Sequence, residues 1–148
     1  MKPIIFIVIL NLSFCFMIFA QTDNCKKPEL VDEFVNSEGG SKKERIQNVS
    51  VLLNASENCF AKIRIAAKTK SDIFRQTARL RKGLLFLRMP LERFSFLLLT
   101  NSKEEKVQFW ISPKNDEIPN CEECILIRAK DFDKIEELFK PTTKKLKN

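Results

Sequence analysis

The 148-residue sequence carries 26 Lys and Arg against 19 Asp and Glu, a formal charge of +7, with no His, no Tyr and three Gly. Without His, the Ser-His and Cys-His nucleophile pairs are excluded along with the commonest general base, and three glycines leave no phosphate-cradling loop. The Asp and Glu residues lie in mixed-charge runs rather than in apolar stretches suited to acid catalysis, so the composition describes a binding protein and not an enzyme.

Met1 and Lys2 open an apolar run that lasts to Ala20, interrupted by Asn11 and Ser13. A basic start, an apolar middle and a small residue before polar Gln21 form the layout of a signal peptide over residues 1–20. The flank Gln21-Thr22-Asp23-Asn24 lacks the positive cluster of a membrane anchor. The chain is therefore expected to be secreted, without membrane insertion, as a monomer whose residues 21–148 form one domain. Losing Lys2 lowers the charge to about +6, still basic enough to favour anionic cell surfaces such as heparan sulfate. Nucleic acid is not expected, because no matching motif accompanies the charge.

Cys15 belongs to the leader, leaving Cys25, Cys59, Cys121 and Cys124. An even number in a small secreted chain reads as two disulfides. Cys121-Glu-Glu-Cys124 has zinc-like spacing, but no His and no second close pair accompany it, so neither metal nor other cofactor is expected. Joining Cys121 to Cys124 would close a tiny loop with little entropic return, so two long-range bridges from Cys25 and Cys59 to the C-terminal pair are expected.

Pro28 can open a helix, and Leu30, Val31, Phe34 and Val35 carry helical spacing before Gly39-Gly40. A second helix is expected from about Ser41, with Ile46, Val49, Leu52 and Leu53 on one face. Asn48-Val-Ser and Asn54-Ala-Ser are glycosylation acceptors on the faces left free. After Cys59 a link rich in Lys and Ala follows, partly helical. The clearest helix starts with Ser71 as N-cap and aligns Ile73, Thr77, Leu80, Leu84 and Leu87 in one stripe. Arg75, Arg79 and Lys82 form a second stripe, which Arg81 and Arg88 broaden. This is the candidate binding patch for an acidic protein or a sulfated sugar, weighed against an ordinary solvated face. Pro90 opens a further helix carrying Leu91, Phe94, Leu97 and Leu98. Val107 to Ile111 alternates as a short strand, unless one helix continues from Pro90 to Ile111. A last helix carries Ile125, Phe132, Ile135 and Phe139, stops at Pro141, and leaves Thr142–Asn148 as a basic solubilising tail. The pattern predicts an all-α bundle of four or five amphipathic helices.

The stretch Asp72-Ile-Phe-Arg-Gln-Thr-Ala-Arg-Leu-Arg-Lys-Gly-Leu resembles a helix of the interleukin-7/interleukin-9 family of short-chain four-helix cytokines, carried by Phe74, Arg75, Ala78, Leu80 and Arg81 with a slip in register. Leu52-Leu53 through Asn58-Cys59 is similar to that family's first-helix ending, and Phe94–Leu99 to its third helix. The ending from Cys121-Glu-Glu-Cys124 looks more like interleukin-15. The resemblance spans most of residues 46–139, and four mature cysteines depart from the six of interleukin-7. It implies an up-up-down-down bundle with two long crossovers. It also implies a secreted cytokine that brings together type I cytokine receptor chains, a specific alpha chain and a shared gamma chain, and so promotes lymphocyte growth or survival. The receptor-facing surfaces would be the helices near 44–56, 91–100 and 125–139. Interleukin-7 likeness implies Cys25–Cys124 and Cys59–Cys121, and interleukin-15 likeness the opposite order. The alternative function is a secreted cationic glycosaminoglycan-binding or host-defence protein.

Overall fold

The computed structural model describes residues 25–35 and 42–139. The signal-peptide segment 1–20 and the tail 142–148 lie outside the described residues. The architecture is a five-stranded sheet with three helices, and this overturns the all-α four-helix bundle. In chain order the elements are β1 (Glu29–Val35), α1 (Lys42–Asn54), β2 (Cys59–Ala66), α2 (Lys70–Phe86), β3 (Phe94–Leu99), β4 (Lys106–Pro113), β5 (Ile125–Arg128) and α3 (Phe132–Phe139). Single 3-10 turns precede β3 and α3.

The strands lie in the order β1-β4-β2-β3-β5. Only β2 and β3 are parallel, with Ile63 opposite Phe96, and α2 makes the crossover between them. The other pairs are antiparallel, and β1 is irregular between Leu30 and Asp32. Alternation along the strands sends Ala61, Ile63 and Ile65, Phe94, Phe96 and Leu98, and Val107, Phe109 and Ile111 to one face. These residues form one core with Ile46, Val49 and Leu53 of α1, Ile73, Leu80 and Leu84 of α2, and Ile135 and Phe139 of α3. Helices therefore cover that face, giving two layers.

Each misread segment has a local cause. Residues 29–35 form an edge strand: Leu30 and Val35 stay exposed and only Phe34 is buried, so the helical spacing meets no core, while the backbone pairs with β4. Residues 59–66 form a central strand, with Cys59, Ala61, Ile63 and Ile65 in strict alternation. The helix expected from Pro90 is a 3-10 turn followed by β3, whose Phe94, Phe96 and Leu98 also fit a period of two. Residues 106–113 are strand throughout, which settles that alternative. Ile125–Arg128 is strand, and the last helix begins only at Phe132. The two central helices fall where the periodicity put them, although Thr69 rather than Ser71 caps α2: its Oγ1 accepts from the Asp72 N–H at 3.1 Å.

The disulfides are Cys25–Cys59 and Cys121–Cys124, so both long-range pairings to the C-terminal cysteines are corrected. Cys25 enters β1 and Cys59 opens β2 at the same end of the sheet, which brings their Cα atoms to 5.5 Å. Cys121 and Cys124 sit in a turn closed by the Cys124 N–H donating to the Cys121 carbonyl at 3.1 Å.

Candidate anion-binding face

α2 is positioned by its apolar side. Ile73, Gln76, Thr77, Leu80 and Leu84 are buried, and α1 and α3 flank the helix. Arg75 and Arg79 stand two residues beyond Ile73 and Thr77, and Lys82 two beyond Leu80, about 200° around the helix. All three are exposed. Arg75 Nη2 donates to Asp72 Oδ1 at 2.8 Å. Arg81 departs from them. It is half-buried, with its guanidinium 4.7 Å from the Phe132 ring centroid, and so joins α2 to α3.

Two further cations come from α1. The close approach of the helices is made at Gly83, where an added Cβ would lie 2.7 Å from Ile46 Cδ1. Crossing there places Lys42 Nζ 3.2 Å from Gln76 Oε1 and Lys43 Nζ 4.7 Å from the Phe86 ring centroid. Burial lowers the Lys42 pKa, and the Arg79 charge lowers it further. Positive charge is thus crowded where α1 meets α2. Lys42 and Lys43 are not legible as part of this patch in the sequence, because they lie on another helix and reach it only through tertiary packing. Phe86 was visible, however, as the next member of the Arg75/Arg79/Lys82 stripe, eleven residues from Arg75.

A second concave region lies on the sheet face opposite the helices, where residues 114–124 overhang β2, β3 and β5. It is a cleft of about 580 Å³ bordered by Lys62, Leu97, Asp116, Ile118 and Leu126. Lys62 is 7% exposed, and its Nζ donates to the carbonyls of Asp116 and, at 3.4 Å, Pro113. Burial lowers its pKa, opposed by the carboxylates of Asp116 and Glu117. The ammonium thus ties the overhanging segment to the sheet. The same face carries a chain of contacts across three strands: Gln108 Nε2 donates to Glu33 Oε2, and Arg64 Nη1 donates to Gln108 Oε1 at 3.0 Å.

Asn48 and Asn54 are both exposed on α1, Asn48 beside a groove of about 350 Å³ lined in part by Arg45 and Asp32, which form an ion pair at 2.6 Å. Among the described residues no group of three or more His, Cys, Asp or Glu could hold a metal ion, and no helix is long and apolar enough to cross a membrane. No protein-family model matches the chain, and no curated protein and no solved structure is significantly similar to it.

Proposed function

We propose that this chain is a non-enzymatic binding protein that attaches to an anionic partner outside the cell through the outer face of α1 and α2. One observation carries the proposal. Lys42, Lys43, Arg75, Arg79 and Lys82 converge from two helices, and Asp72 is the acid paired within the stripe. Like charges gathered on one face raise the local potential, and an arriving anion relieves it. The net charge, about +6 without Lys2, acts in the same direction at longer range. Two disulfides suit the oxidising compartment that the leader-like residues 1–20 suggest.

Receptor bridging of the interleukin-7 kind draws no support from this architecture. The surface it would use near 91–100 is a short turn and a strand with Phe94, Phe96 and Leu98 buried, and Ile125–Arg128 is a strand.

The test is binding of the oxidised chain to a sulfated polysaccharide and to an uncharged one across a salt series. Binding to the sulfated polymer alone is expected, weakening as salt screens the charges. The double variant Arg79→Glu/Lys82→Glu should lower that affinity by about tenfold or more at low salt. Equal affinity of wild type and double variant would remove the proposal.

A further inference from the structure

Phe86 is 70% exposed, more than any other large apolar side chain among the described residues, and Leu85 beside it is 47% exposed. Phe86 continues the outward stripe of Arg75, Arg79 and Lys82 by one more turn, and the ammonium of Lys43 lies 4.7 Å from its ring centroid. The helix ends immediately afterwards. The Met89 N–H donates to the Leu84 carbonyl at 2.9 Å and the Arg88 N–H to the Leu85 carbonyl at 3.0 Å, with Arg88 at φ 53°. That is the double closure of a Schellman ending, with arginine at the left-handed position glycine usually takes. The turn brings Met89 back against the core and leaves Leu85, Phe86 and Arg88 exposed at the corner where α2 ends. Cations therefore surround the protruding apolar pair: Lys43 from α1, Lys82 one turn before, and Arg88 just after.

We infer that this corner docks on an anionic lipid bilayer, with Phe86 and Leu85 entering the acyl boundary and Lys43, Lys82 and Arg88 meeting the headgroups. The inference rests on the anionic-partner function proposed above and names the partner. A sulfated glycan satisfies the cations but offers the phenyl ring no dry environment, whereas a bilayer whose exposed leaflet is rich in anionic lipid supplies fixed negative charge and hydrocarbon a few ångströms apart. The side chains enter shallowly, because α2 is held to the core along its other side.

The experiment measures partition of the oxidised full chain onto vesicles of phosphatidylcholine alone, and of phosphatidylcholine with about one-third phosphatidylglycerol. Affinity for the sulfated polysaccharide is measured in parallel. Binding to the phosphatidylglycerol vesicles and not to the neutral ones is expected. Phe86→Ser should weaken vesicle binding by about tenfold or more, the transfer effect of one aromatic side chain, and leave polysaccharide affinity unchanged. The ring is largely exposed, so an unchanged melting temperature certifies that the variant is folded. In a Trp110→Phe background, Phe86→Trp should shift its emission to the blue only with phosphatidylglycerol present. Vesicle affinity indifferent to Phe86→Ser overturns the bilayer and leaves the anionic-partner function intact, with an acidic protein or sulfated sugar as the partner. Failure to bind either vesicles or sulfated polymer overturns both.

Discussion

Arg93 shows how one side chain can hold a junction. Its Nη2 donates to the carbonyls of Leu53 (2.9 Å), Ser56 (2.6 Å) and Cys59 (2.7 Å), and its Nε also reaches the Cys59 carbonyl. The cation thereby gives a charged donor to the Leu53 carbonyl at the end of α1, which also accepts from the Ser56 N–H at 3.2 Å, and fixes the loop that delivers Cys59 to β2. Arg93→Met leaves these acceptors without their charged donor, and a loss of about 3 kcal/mol is expected in denaturant unfolding. Arg88 makes the opposite case. A left-handed arginine costs roughly 1 kcal/mol. Arg88→Gly should accordingly raise stability by a few tenths to about 1 kcal/mol while weakening attachment to anionic vesicles. A substitution that stabilises the fold and impairs binding is the signature of a residue kept for its charge. Nothing in the sequence distinguishes Arg93 from Arg88, because their difference lies in which carbonyls surround them.

Among the elements, α1 and α2 were legible because their buried positions recur at three and four residues and no strand register accommodates them. β2 and β3 were not. Phe94-Ser-Phe-Leu-Leu-Leu satisfies both a helical and a strand template, as short apolar runs on buried central strands do. The choice between them is made by β2, whose backbone pairs with β3 along six residues. Gly83 also acquires its meaning at this scale. It weakens α2 in isolation but admits Ile46 of α1, so Gly83→Val should cost about 2 kcal/mol by forcing the helices apart. Lys62 provides a pH test of the overhang on the other face. Its folded pKa lies below 10.5, so between that lowered value and 10.5 the unfolded chain binds more protons and rising pH favours the fold. The stability difference between wild type and Lys62→Met should therefore move in favour of the wild type as pH climbs toward 10.5 and level off beyond it.

For the whole molecule, the two disulfides have unequal weight. Cys25–Cys59 spans 34 residues, and by loop-closure entropy it stabilises the chain by about 4 kcal/mol. Cys121–Cys124 spans 3 residues and contributes less than about 2 kcal/mol. Removing the first as a Ser/Ser pair should lower the melting temperature much more than removing the second. The expectation of long-range bridges assumed that stabilisation selects pairings. The actual pairings follow proximity, imposed by the sheet for Cys25–Cys59 and by a local turn for Cys121–Cys124. The basic patch was only partly visible for the same reason. Arg75, Arg79 and Lys82 share a helix face by local geometry, whereas Arg81 turns to Phe132 and Lys42 and Lys43 arrive from another helix. What the sequence determined by itself is short-range: the two amphipathic helices, the cationic stripe, the lack of histidine and the leader-like start. Only the tertiary structure decided that the remaining apolar runs are strands, which cysteines meet, and which cations share a surface. Those outcomes depend on partners distant in the chain, and a strand has no hydrogen bonds of its own until a neighbour supplies them.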